Sequence, residues 1–156
     1  MIFEQVGLSP GDRVLDVACG TGIVARVARE RLGDAGHVVG VDVSPDMLAV
    51  ARAVAPQIDW REGNASALPL RAGEQFEIVV CQQGLQFFPD RPTALREMRR
   101  ILAPSGRLVL SVWREIERSP GFAVLADALI PDPTISSLPC EVLQYLRRGD
   151  IERIDC

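Results

Sequence analysis

An aspartate, two closely spaced glycines and small residues between them occupy positions 16–22, in the order Asp16-Val17-Ala18-Cys19-Gly20-Thr21-Gly22. These residue types suit contact with a polar ligand. Glycine lets the backbone turn sharply and presents main-chain N–H groups with no Cβ in the way. Where a helix starts at such a turn, its free N–H groups and its dipole favour negative charge. Asp16, just before the glycines, has the opposite preference: it repels a pyrophosphate and suits an amino group. The two preferences together fit a ligand that carries an ammonium and a carboxylate. The run Gly20-Thr21-Gly22-Ile23-Val24-Ala25 also fits the dinucleotide fingerprint G-x-G-x-x-G/A, so an NAD-type oxidoreductase stands as an alternative.

The flanking residues say which elements hold this turn. Val14, Leu15 and Val17 form a short apolar run of the kind a buried parallel strand uses. Beyond Gly22, the residues Ile23, Val24, Val27 and Ala28 recur at helical spacing, which predicts a helix over 21–32. A second apolar strand over 37–43 ends in Asp42, 20 residues after Gly22, near the spacing of a carboxylate that binds ribose hydroxyls. Ser44 and Pro45 then read as the N-cap and first residue of a helix with Met47, Leu48, Ala51 and Val54 on its apolar face. A third strand leads into Asn64, whose amide could meet a purine edge or form an Asx turn. A fourth strand, 76–81, runs into Gln82-Gln83-Gly84-Leu85-Gln86-Phe87-Phe88. A helix over 90–102 and a fifth strand over 107–113 follow. Alternating strands and helices, one helix between each pair of strands, give a Rossmann-like doubly wound parallel sheet of the α/β class. Ligands in such sheets bind beyond the carboxyl ends of the strands. His37, at the opposite end, is expected on the surface.

The stretch 16–22 resembles motif I of the class I S-adenosylmethionine-dependent methyltransferases, D/E-x-G-x-G-x-G, with Ala18 in place of the first glycine. It is closest to the small-molecule, UbiE-like (methyltransferase type 11) group of quinone-biosynthesis enzymes. Asn64-Ala65-Ser66-Ala67-Leu68-Pro69 resembles that group's D/N-A-x-x-L-P. The resemblance covers residues 8–113 and implies strand order 3-2-1-4-5. It implies S-adenosyl-L-methionine as cofactor, held by Asp16, Ala18, Cys19, Gly20, Thr21, Gly22, Asp42, Val43, Met47, Asn64, Ala65 and Gln82. Within that set Asp42 would hold the ribose, and Met47 and Asn64 the adenine. Gln83, Phe87 and Phe88 would line the substrate pocket. The implied activity is methyl transfer to a small molecule by in-line displacement. A catalytically inactive Rossmann-like binding module is a further alternative.

The totals bound these readings. A chain of 156 residues with 47% apolar residues supports one folded core. A net charge of −4 provides no basic surface for nucleic acid. No apolar run approaches membrane-spanning length and no signal peptide precedes the first strand, so the expected compartment is the cytoplasm. Four cysteines without C-x-x-C spacing and a single histidine argue against a zinc site. The cofactor-binding domain is assigned to 1–114, and 115–156 to a helical C-terminal tail, with a helix over 140–148. Compared with the family, the chain is expected to be truncated at both ends, lacking the last strand or strands. The fifth strand would then keep an apolar open edge, through which, or through the tail, copies of the chain would associate; the alternative is that residues 121–156 fold back and cover that edge within one chain.

Overall fold

The computed structural model describes residues 3, 6–114 and 140–147, the backbone alone for 113–114 and 140–147. Six strands form one sheet: β1 (Arg13–Val17), β2 (His37–Asp42), β3 (Asp59–Glu62), β4 (Phe76–Gln82), β5 (Leu102–Arg114) and β6 (Cys140–Arg147). Their order is β3-β2-β1-β4-β5-β6, with the first five parallel and β6 antiparallel to β5. The expected order 3-2-1-4-5 therefore holds.

The helices α1 (Ile23–Leu32) and α2 (Pro45–Val54) pack on one face, and α3 (Arg91–Arg100) on the other. The alternation of β1 decides this. Val14 joins the cluster with Ala25, Ala28, Leu48 and Ala51, while Leu15 and Val17 join the one with Ala94, Leu95 and Met98. The chain changes face between β1 and β4, and this change of winding is the topological switch point. Residue types explain the helix starts. Ser44 Oγ accepts from Met47 N–H at 3.3 Å, and Asp90 Oδ1 accepts from Thr93 N–H at 3.0 Å. Each cap satisfies a donor the helix itself leaves free.

Three expectations need correction. Residues 63–75 between β3 and β4 contain no helix; the chain turns at a bridge between Asn64 and Ala67. β5 begins five residues early, because Leu102 already pairs with Phe76 before a register shift brings Arg107 opposite Ile78. Residues 140–147, expected as part of a helix, instead form β6, paired from Arg107↔Arg147 to Arg114↔Cys140. Val142, Leu143 and Leu146 fit helical spacing, but open N–H and C=O groups on β5 reward a strand there. The edge through which self-association was expected is thus occupied within the chain. The remainder of the 115–156 tail lies outside the described residues.

Candidate functional site

At the carboxyl ends of β1, β2 and β4 lies a cavity of about 420 Å³. That size falls within the roughly 300–1,000 Å³ of small-molecule sites. Its walls include Val17, Ala18 and Gly20 from the glycine turn, Asp42, Val43, Ser44 and Met47 after β2, and Gly63, Asn64 and Ala65 after β3. Gln83, Gly84, Phe87, Phe88 and Pro89 close it after β4.

The glycine turn is held by its own neighbours. Asp42 Oδ2 accepts from Gly20 N–H at 2.8 Å, and Asp42 Oδ1 accepts from Ser44 N–H at 2.9 Å. Cys19 N–H donates to Val41 O and Gly22 N–H to Cys19 O. Three of the turn's donors, the N–H groups of Cys19, Gly20 and Gly22, are therefore spent inside the protein. Gly20 and Gly22 both take positive φ, 55° and 80°. At Gly22 a Cβ would also lie 2.3 Å from the Trp60 ring, so the turn rests directly on the indole. Trp60 is fixed in turn by its Nε1–H, which donates to Ala55 O at 2.8 Å.

Asp16 does not line the cavity. It lies on the α1 face of β1, 1% exposed, and its Oδ2 accepts from Ala25 N–H at 3.0 Å. Gly22, the N-cap of α1, has no side chain to supply that bond. Asp16 replaces it from across the turn, with the helix dipole in its favour. Its carboxyl is pushed up to about 7, chiefly by burial, with the Ala25 N–H opposing and the charge of Asp42 adding. Asp16 thus ties the start of α1 to the end of β1.

Cys19, Thr21, Gly22 and Gln82 are not among the residues that line this cavity, whereas Gln83, just after β4, is. Burial, with the nearby charge of Asp16, pushes the Cys81 thiol up to about 12; this suits a core filler, not a nucleophile. Ala18, at the first-glycine position of the motif, has φ 58°, where glycine is favoured.

Met47 is half exposed on the rim while Leu48 and Ala51 take the core, so packing does not account for it. Asn64 lines the cavity and also forms the Asx turn: its Oδ1 accepts from Ser66 N–H at 2.9 Å. Its Nδ2 has no partner among the described residues and can donate to a ligand. Phe87 stands 77% exposed at the mouth, and Phe88 packs against the core. His37 is exposed at the far end of the sheet, as expected.

Sequence reasoning assigned none of Val17, Val41, Ser44, Gly63, Gly84 and Pro89 to the site, although all line the cavity, and it also missed Ser111. Gly84 lines the cavity, where a Cβ would lie 2.6 Å from that of Ala18. Ser111 is fully buried in β5 and binds Gln83. A serine inside the apolar run R-L-V-L-S-V-W was the available signal.

The model of the methyltransferase domain family matches residues 15–110. The chain belongs to that family. It is 40% identical over 113 residues to a 2-phytyl-1,4-naphtoquinone methyltransferase of Thermosynechococcus vestitus, covering 70% of this chain and 50% of that protein. It is 41% identical over 131 residues to a demethylmenaquinone methyltransferase of Renibacterium salmoninarum, covering 83% of this chain and 53% of that one. Among solved structures, CalS10, an amino pentose methyltransferase from Micromonospora echinaspora with S-adenosylmethionine bound, has a TM-score of 0.61 at 33% identity. That match covers 69% of this chain and 45% of CalS10. The chain spans about half the length of the curated relatives it matches.

Among the described residues no helix is long and apolar enough to cross a membrane.

Proposed function

We propose that this chain binds S-adenosyl-L-methionine and directs its methyl group to a small aromatic acceptor. One observation carries the proposal: a single cavity joins a hydrogen-bonding half at Asp42, Ser44 and Asn64 to an aromatic half at Phe87 and Phe88. Those residues fit the cofactor. The carboxylate of Asp42 keeps lone pairs beyond those on Gly20 and Ser44, enough to accept from ribose hydroxyls. Asn64 Nδ2 can donate to a purine acceptor, with Met47, Val43 and Ala65 supplying apolar contact.

When bound, the cofactor supplies a methyl group already activated by a sulfonium. A phenol or quinol acceptor must lose a proton as the new bond forms, while the chain need not activate the methyl group. Its part is to align the acceptor's nucleophile with the carbon–sulfur bond and to keep water out. Phe87, Phe88 and Pro89 form the wall suited to that. The quinone methyltransferases among its relatives support a flat, apolar acceptor of quinol or phenol type. The free, buried thiols of Cys19 and Cys81 support a reducing compartment, the cytoplasm.

Calorimetric titration with S-adenosylhomocysteine, set beside titration with NADH, tests the cofactor. Turnover over a panel of quinols, phenols and amines tests the acceptor. Affinity for NADH and none for S-adenosylhomocysteine would reverse the reading in favour of an oxidoreductase.

A further inference from the structure

Trp60 is not among the residues that line the cavity, yet its side chain meets the segments that carry them. It is 8% exposed, at the second position of β3. The far edge of its indole fills the place a Cβ would take on Gly22, with Cη2 2.3 Å, Cζ3 2.9 Å and Cζ2 3.0 Å from that point. Cζ3 and Cε3 fill the same place on Gly40, at 2.3 and 2.4 Å. Gly22 closes the turn that brings Ala18 and Gly20 to the wall, and Gly40 precedes Val41 and Asp42 on β2. Trp60 itself belongs to the strand that leads into Gly63 and Asn64.

The opposite edge of the ring is anchored. Nε1–H donates to Ala55 O at 2.8 Å, and Arg52 Nη2 donates to the Trp60 carbonyl at 3.2 Å. Arg52 stands in the last turn of α2 and Ala55 is its C-cap, while Met47 of the cavity wall is in its first turn. One flat, rigid side chain with a polar handle thus touches the glycine turn, β2 and α2 from its seat on β3. The exits of those elements form the hydrogen-bonding half of the cavity. A close-packed interior passes on a displacement instead of absorbing it, and binding groups keep their geometry when the residues beneath them are locked.

We propose that Trp60 is a positioning residue for the cofactor: its indole fixes the glycine turn and the exits of β2 and β3 relative to one another, so it sets the affinity for S-adenosyl-L-methionine and its emission responds when the cofactor binds. The inference rests on the methyltransferase reading and adds to it a residue behind the wall that governs the cofactor end.

The test reads S-adenosylhomocysteine binding by calorimetry. Trp60→Phe keeps an aromatic ring on β3 but lacks the edge that meets Gly22 and the N–H that meets Ala55. Its dissociation constant should rise at least roughly tenfold, as the turn and β2 lose their common support. Leu32→Ala opens a void in the same core cluster, at the end of α1 remote from the turn. It should lower the melting temperature, as Trp60→Phe does, and leave the dissociation constant at the wild-type value. That comparison separates positioning from loss of stability. The chain has two tryptophans, so in a Trp113→Phe variant the emission belongs to Trp60. Its emission should change on titration with S-adenosylhomocysteine, with a midpoint at the calorimetric dissociation constant. This arm decides the matter where Trp60→Phe does not fold.

A wild-type dissociation constant in Trp60→Phe, an equal rise in Leu32→Ala, or an emission unchanged at saturation overturns the inference. In those outcomes the wild-type chain still binds S-adenosylhomocysteine and the methyltransferase reading stands. Failure of the wild-type chain to bind S-adenosylhomocysteine removes both.

Discussion

The carboxylate of Asp42 and the main-chain N–H of Gly20 meet at 2.8 Å, joining the exit of β2 to the glycine turn after β1. One side chain therefore has two duties, shaping the turn and offering lone pairs to a ribose. Asp42→Ala should raise the dissociation constant for S-adenosylhomocysteine at least tenfold, since a hydrogen bond to a charged group contributes about 1.5–3 kcal/mol. It should also lower the melting temperature, because Gly20 and Ser44 lose their acceptor. A lowered melting temperature with an unchanged dissociation constant would leave Asp42 as a turn anchor and nothing more.

Ala18 should be better replaced by what the motif has elsewhere. At φ 58° an alanine carries strain that glycine does not. Ala18→Gly is expected to stabilise the chain by about 0.5–1 kcal/mol, the left-handed penalty less the extra freedom of the unfolded glycine. Gly84→Ala should destabilise the wild type, where its Cβ would lie 2.6 Å from that of Ala18 and 2.8 Å from Cys81 Sγ. In the Ala18→Gly background that loss should shrink. Urea denaturation of the four chains measures the coupling, and additive effects would contradict the contact.

Gly22→Ala should fail for steric reasons. Its Cβ would lie 2.3 Å from the Trp60 ring, at a φ of 80°. Overpacking of this kind costs about 1–3 kcal/mol, before backbone strain is added. The indole must move, so the expected readout is lower stability together with altered tryptophan emission. Trp60→Leu should reduce the penalty of Gly22→Ala. An equal penalty in both backgrounds would show that the ring does not support the turn.

Asp16 predicts a pH dependence of stability. Burial raises its carboxyl from 3.8 to about 7 in the folded chain. A native pKa above the unfolded one means that the folded chain keeps a proton that the unfolded chain releases. The stability Asp16 contributes is whole below pH 3.8 and is lost as pH rises through about 7. Asp16→Asn stays neutral and can still accept from Ala25 N–H, so it lacks this decline. The stability of the variant minus that of the wild type should increase across this window, with a slope of at most about 1.4 kcal/mol per pH unit. A constant difference between pH 4 and 8, by urea denaturation, would mean that Asp16 is ionised throughout.

The pairing of β6 with β5 gives a prediction for association. The intact chain should sediment as a monomer across a dilution series, with slow amide exchange over 107–113. A chain ending at Arg114 exposes the β5 edge and should self-associate. Association of the intact chain with fast exchange over 107–113 would mean that β6 does not hold its place.

The strand order and the cavity's position were legible because they rest on coarse signals. Val14, Leu15 and Val17 mark β1 by apolarity, and Gly20 and Gly22 mark the turn by type. Ser44-Pro45 and Asp90 mark helix starts for reasons local to a few residues. What could not be read was direction. The sequence places Asp16 beside the glycines, but only the pleat of β1 turns its carboxylate toward Ala25 and away from the cavity. The choice between Gln82 and Gln83 likewise depends on where β4 ends. Residues 140–147 were misread because their apolar spacing suits a helix, while β5, some thirty residues earlier in sequence, supplies the partner for a strand.

The antiparallel return of β6 also bears on how chains of this fold can differ in length. Arg114 and Cys140 are register partners, at the end of the sheet where the cavity opens. The intervening connection therefore leaves and rejoins the sheet at one point. Doubling the length of a flexible connection adds only about 0.6 kcal/mol of closure entropy. Residues can be gained or lost there without shifting any strand register. Between Arg13 and Gln83, by contrast, the turn, its Trp60 support and the Asp42 anchor fix the spacing of the chain. Length can thus vary between β5 and β6 while the stretch that carries the glycine turn keeps its spacing.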